Sequence, residues 1–353
     1  MKISSRQICF IMIAYTAATK LLMYPTLLSM ASGNDLLFSA LIDFFIGTAV
    51  IWSISFLCSR TDKTFFELIK GTLGEVTARI VFGFFAAFFL LSTLLPIFEQ
   101  VGYIHNIFYD TVPSLGVFLP FFVFTVYAAT KKFTNIGRCA DICLPIFAVS
   151  ILFIFITAFS DVQWDNLMPI LKTPALDIFR GAANTAYTFA EPCWLLMFMG
   201  HFKYKKGDAA KITLSYALGA ATVLLFLAMF YGIYGAVAPS RTYAIARTSL
   251  FFPAIEVIGR MDLLVLFVLE IVMLFALVLN IQLAVYALVK CTGYENRMLL
   301  SFSVNGALLA ITIFCNSFYN NINELFYNWM WIMYIVFVVA LPVIAWLFKR
   351  RTA

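Results

Sequence analysis

The sequence predicts an all-α integral membrane protein with ten transmembrane helices, arranged as a five-plus-five inverted repeat with broken first and sixth helices. Three observations predict it. The 353-residue chain is 63% apolar and only 12% charged, about half the ~25% charge that a soluble domain uses to cover its surface. Its apolar runs recur ten times at the length that crosses a bilayer, about 20 residues. Two of these runs, five apart, are interrupted by polar residues and proline at mid-membrane depth. A water-soluble globule, a disordered chain and a disulfide scaffold are all excluded, since each demands a different composition.

The spans fall near 7–30, 35–58, 78–103, 114–130, 136–159, 176–200, 209–236, 261–289, 298–316 and 325–348. The whole chain, 1–353, reads as one polytopic domain, with 1–159 as the first five-helix repeat and 176–348 as the second. The stretch 239–260 is amphipathic and reads as a loop. Lys2 and Arg6 ahead of an apolar run imitate a signal peptide. That run is about 24 residues long and contains Lys20, too long for a typical signal core, so it reads as a retained first helix.

Orientation follows from the basic residues. With the N-terminus inside, inner segments hold 18 of the 24 Lys and Arg, and outer segments hold five: Lys172, Arg180, Arg241, Arg247 and Arg260. One missed helix would invert every later loop, so the bias supports the span count and predicts cytoplasmic termini. The net charge of +6 is this same bias in short loops, with no nucleic-acid-binding face.

A helix satisfies its own backbone groups in lipid, so an interruption at membrane depth requires a reason. The first span breaks at Thr16-Ala17-Ala18-Thr19-Lys20, with Pro25 beyond, and the sixth at Asn184 to Pro192. Proline disfavours helical backbone in the residue before it and leaves a carbonyl one turn back unpaired. Matched breaks in the first helix of each half point to an inverted-repeat transporter fold with its binding site at the breaks.

Charged residues inside the spans mark the same region. An unpaired Lys near the bilayer centre costs roughly 2.5–3.5 kcal/mol or more, so Lys20, about 2 Å outward of its span's midpoint, needs a carboxylate. Asp43 matches it better in depth, about 5 Å outward of its own midpoint. Glu191, about 5 Å inward, matches it better in position on the fold. The expectation is Lys20 as a cation between the two, reading the substrate or replacing a coupling ion; a purely structural Lys20–Asp43 pair is the alternative. Glu270, some 7 Å outward of its midpoint, is placed to line an outer vestibule. Glu99 lies nearer the outer interface, where it can reach water. Asn280 and Gln282 suit interhelical hydrogen bonding as well as a site. Tyr187 stands out at the sixth-span break, while His105 and His201 fall in loops.

No catalytic constellation is present: there is no phosphate loop, nucleophile elbow or metal-ligand spacing. Cys139 and Cys143 are four apart without further Cys or nearby His, so no metal and no cofactor is expected, and the protein reads as a non-enzyme.

Several segments resemble the permease-like B subunit of bacterial spore-germination nutrient receptors, within the amino acid–polyamine–organocation superfamily. They are Ile3-Ser4-Ser5-Arg6-Gln7 before the first apolar run, Leu21 to Pro25 with Gly33-Asn34-Asp35, and Trp164 to Pro169. Tyr243 to Asp262, with Ala246-Arg247, Pro253 and Arg260-Met261-Asp262, completes the likeness. The resemblance implies a spore inner-membrane protein that assembles with a larger A subunit and a lipoprotein C subunit. It also implies a germinant, often an amino acid, held at the unwound first and sixth helices. Carried over by position, that points to Ala17, Ala18 and Thr19, and to Tyr187, Thr188 and Phe189. Two departures stand out: Ala18 where the family usually has Gly, and Lys20 in a normally uncharged stretch.

The sequence therefore reads as a nutrient sensor that binds a small ligand at mid-membrane. A stand-alone amino-acid transporter coupled to a proton or to Lys20 is the alternative, and an assembly subunit with a vestigial pocket a third reading.

Overall fold

The computed structural model describes residues 2–107, 114–250 and 261–315, together with single positions between 318 and 336. The first span is two helices. Ser4 and Gln7 form a capping box that starts α1, Ser5–Ala18, satisfying backbone donors that have no partner within the helix. After a non-helical stretch, Pro25 supports the first turn of α2, Tyr24–Ser32, where its missing N–H costs nothing. The sixth span divides likewise into α8, Ala175–Thr185, and α9, Glu191–Phe198 with Pro192 in its first turn.

The other spans are continuous. They are α3 (Leu36–Arg60), α5 (Glu75–Ile107), α6 (Ser114–Ala128), α7 (Phe133–Ala158), α10 (Asp208–Tyr234), α12 (Met261–Thr292) and α13 (Arg297–Cys315). Most of the tenth predicted span, 325–348, lies outside the described residues. Among the described residues six helical stretches are long and apolar enough to cross a membrane singly; the halves of the broken spans are too short to do so alone. Large apolar side chains such as Phe45, Val123, Val149, Ile156 and Phe314 face outward, as a lipid-facing surface requires and a water-facing one forbids.

Two short helices were not expected. α4, Phe65–Leu73, lies between the second and third spans behind a Thr64–Glu67 capping box. α11, Ala244–Ser249, lies in the stretch read as loop; positions 251–260 of that loop are outside the described residues. His105, expected in a loop, falls in the last turn of α5.

The broken helices occupy the middle of the bundle. α1 packs on α10, α7 and α12, and α2 and α3 pack on α8. Gly219 permits the closest approach of α1 and α10: a Cβ there would stand 2.9 Å from Thr16 Cβ and 3.2 Å from Ile13 O. Ile3 N donates to His201 O at 3.1 Å, so the N-terminus lies at the same end of the bundle as the turn after α9.

Candidate functional site

Interrupting a helix inside a membrane frees backbone groups that must find partners. In the first break, Thr19 N donates to Tyr15 O and Lys20 N to Ala17 O, each at 3.1 Å, closing α1. The freed carbonyls of Leu21 and Leu22 accept from Ile245 N at 3.1 Å and Ala244 N at 2.8 Å. The unexpected α11 is therefore the plug of the first break. Proline at position 25 and these two exchanged bonds explain why the chain unwinds here.

In the second break a single turn, Ala186–Thr188, follows α8. The Thr188 carbonyl points into the gap and accepts from Lys20 Nζ at 3.1 Å. Lys20 Nζ also donates to Glu191 Oε1 and approaches Thr19 Oγ1 at 3.4 Å. It lies 4.2 Å from the centroid of the Phe189 ring, which Phe44 and Tyr24 flank at 5.1 and 5.8 Å. Lys20 and Glu191 are both fully buried. Glu191 opens α9, so it stands at the N-terminal end of that helix's dipole. Its second oxygen, Oε2, has no hydrogen-bond partner among the described residues.

Of the two carboxylates expected around Lys20, one makes direct contact with it. Glu191 takes the ion pair, and Asp43, 3% exposed on α3, accepts instead from Thr185 Oγ1 at 3.2 Å. Position on the fold indicates the contact better than depth along a straight span, because the second break brings the first turn of α9 up against the end of α1. Glu270 is also separate. It is buried on α12, with the Gln100 amide nitrogen placed 2.7 and 2.8 Å from its two oxygens in the amide orientation that satisfies both groups.

Beside the ion pair lies a cavity with about 50 Å3 open to the centre of a water molecule. That holds water-sized groups and is well below the ~300–1,000 Å3 of ordinary small-ligand sites. Of the predicted ligand residues, Ala18, Thr19, Tyr187 and Thr188 line it. Ala17, Lys20 and Phe189 do not: Lys20 and the Phe189 ring turn toward α9 and α3 and form the wall behind. Asp43, Glu191 and Glu270 are not in the lining either. Glu99, discounted for its closeness to the interface, is, because α5 carries its side chain inward. Among the described residues Glu99 has no hydrogen bond or ion pair. Sequence reasoning also missed Tyr15, Ser92, Gln100 and Met273. Tyr15 was recoverable, since it stands one helical turn before Thr19. Its hydroxyl donates to Asn280 Oδ1 at 3.0 Å, joining α1 to α12 across the cavity.

Comparison with known proteins bears on this arrangement. The family described as spore germination protein matches residues 2–325. The spore germination protein YndE of Bacillus subtilis (strain 168) is 22% identical over 230 residues, 65% of this chain and 63% of YndE. The match therefore spans less than two thirds of that relative's length. Among solved structures, MhsT in complex with L-phenylalanine superposes with a TM-score of 0.71 at 10% identity, covering 96% of this chain and 89% of that one. Mhp1, a nucleobase-cation-symport-1 family transporter in a closed conformation with bromovinylhydantoin bound, gives 0.53 at 13% identity, covering 91% and 75%. At such identities the likeness establishes the fold alone, the inverted-repeat membrane transporter fold that the two breaks imply.

Proposed function

The chain belongs to the spore germination protein family, and from that premise we propose that it is the germinant-sensing membrane subunit of a nutrient receptor. It binds a small ligand, an amino acid in the first instance, between the broken first and sixth helices, and catalyses no reaction. The observation that carries this reading is the pair of breaks, locked by the Lys20–Glu191 contact beside a small cavity with hydroxyl, amide and carboxylate groups in its lining. The premise also supports residence in the spore inner membrane with both termini cytoplasmic. Assembly with a larger A subunit and a lipoprotein C subunit belongs to the same proposal.

The chemistry of the cavity matches an amphoteric ligand. Thr19, Tyr187, Thr188, Tyr15 and Asn280 bring hydroxyl and amide groups, and Glu99 brings the carboxylate that meets a ligand ammonium. Lys20 acts as a tethered cation at the breaks, on the Thr188 carbonyl and the Glu191 carboxylate, where transporters of this architecture hold a free ion. A ligand larger than the cavity must part the two breaks. It thereby favours a second arrangement of the bundle, which the partner subunits read. Moving such an equilibrium from 1:99 to 99:1 takes about 5.5 kcal/mol of differential binding.

The test is thermal stabilisation of the purified chain across a panel of amino acids, sugars and nucleosides. A ligand at 100 times its Kd raises stability by about 2.7 kcal/mol. Stabilisation by one class, lost in Glu99→Gln and Tyr187→Ala, is the expected result. A ligand-responsive protein indifferent to both changes refutes the site. The fold's likeness to transporters favours a second reading, amino-acid transport by the chain alone; accumulation of labelled ligand in vesicles containing only this protein would replace the sensor with that reading.

A further inference from the structure

We propose that the N-terminal end of the bundle binds an anionic glycerophospholipid, with its phosphate in a basic pocket and an acyl chain in the apolar groove beside it. This site lies away from the helix breaks and does not depend on the reading above.

The pocket, of about 150 Å3, is bounded by the end of α6, the start of α7, the end of α12 and the start of α13. Lys131, Lys132, Arg297 and His201 line it, and among the described residues no carboxylate does. Helix α7 begins in its wall. Its N-cap residue, Lys132, makes no side-chain cap, and among the described residues the N–H groups of Phe133 and Thr134 have no acceptor. Free N–H groups at a helix start, with cations around them, favour an oxyanion. A second, separate observation narrows the ligand. Gln282, 2% exposed, donates through Nε2 to Lys131 O and lines the pocket, while its Oε1 has no partner among the described residues. An acceptor among so many donors fits a phosphate that carries a hydroxyl next to it, as in a glycerol headgroup. A choline headgroup offers Gln282 no hydrogen and places a cation among Lys131, Lys132 and Arg297.

Lys131 also lines a groove of about 690 Å3 between α6, α7 and α12, whose walls include Phe121, Phe124, Ile136, Leu274 and Val278. Its ammonium sits 3.5 Å from the centroid of the outward-facing Tyr127 ring. One side chain thus joins an apolar groove to a basic pocket, which is the division of a phospholipid into chain and headgroup. Beside these cations, burial first and then the charges of Lys290, Lys2 and Arg297, opposed by Glu67, hold His201 down to about 4. Basic pockets between spans bind anionic lipid headgroups by the same electrostatics.

The test is native mass spectrometry of the full chain, offered equimolar dioleoyl phosphatidylglycerol and dioleoyl phosphatidylcholine, with inorganic phosphate as a competitor. The expected result is retention of phosphatidylglycerol with about tenfold preference. That preference should disappear in Lys131→Gln/Arg297→Gln and persist in Lys131→Arg, and retention should fall in Val278→Trp, which fills the groove. If the double variant aggregates, Lys131→Gln alone serves, with a reduced preference expected. Equal retention of the two lipids by the unaltered chain overturns the proposal, as does a preference unchanged by loss of the charges. Displacement by inorganic phosphate with no effect of Val278→Trp also overturns it, in favour of a free-phosphate site.

Discussion

Replacing Lys20 with Met tests the centre of the molecule. The substitution keeps the volume and removes four interactions at once: the ion pair with Glu191, the bonds to Thr188 O at 3.1 Å and Thr19 Oγ1 at 3.4 Å, and the cation over Phe189 at 4.2 Å. It leaves Glu191 fully buried with Oε1 orphaned, beside an Oε2 that already lacks a partner among the described residues. Breaking a buried pair from one side costs about 3–5 kcal/mol, whereas replacing both partners with apolar groups of similar volume is close to neutral. Lys20→Met should therefore lower thermal stability sharply, and Lys20→Met/Glu191→Leu should recover most of it. Lys20→Met/Asp43→Asn should recover nothing, since Asp43 is held by Thr185. Unfolding is followed by the fluorescence of Trp194, which is fully buried and 6.2 Å from the Tyr15 ring. A stable Lys20→Met protein, or rescue by Asp43→Asn instead of Glu191→Leu, would refute the assignment of partners.

Thr185→Val keeps the shape but deletes the hydroxyl hydrogen that Asp43 shares with Gly181 O and Ala182 O; a loss of about 1–3 kcal/mol is expected, measured as a lowered denaturation midpoint. Gly219→Ala sets two effects against each other, a helix-propensity gain of about 1 kcal/mol and a Cβ placed 2.9 Å from Thr16 Cβ. Crowding between α1 and α10 should win, with a net loss of up to about 2 kcal/mol once ~1–3 kcal/mol of overpacking is counted; a raised melting temperature would contradict the packing. For pH, His201 is held at about 4 in the folded chain against 6.5 unfolded, so the unfolded state binds the extra proton between those values. Stability then falls as pH drops from about 6.5 to about 4, and His201→Gln should flatten that part of the melting-temperature profile.

The spans were legible because lipid imposes a one-dimensional rule: about 20 apolar residues or a boundary. The breaks were legible because Pro25, Pro192 and the polar residues around them violate that rule twice at matching places. The capping box of α4 stood in the sequence at Thr64 and Glu67, but α11 carried no comparable signal. It exists to satisfy Leu21 O and Leu22 O, a demand that arises only once the first helix has unwound.

What the sequence determined by itself was the membrane setting, the two breaks, the family resemblance and the need of Lys20 for a carboxylate. What only the tertiary structure decided was which carboxylate answered, and which residues turned toward the cavity. Depth along a span is readable from residue number at 1.5 Å per residue, but rotation about the helix axis and displacement at a break are not. Asp43 had the better depth, yet α9 starts at the second break and carries Glu191 to Lys20. The same two hidden coordinates turned Glu99 into the cavity and set Glu270 behind Gln100.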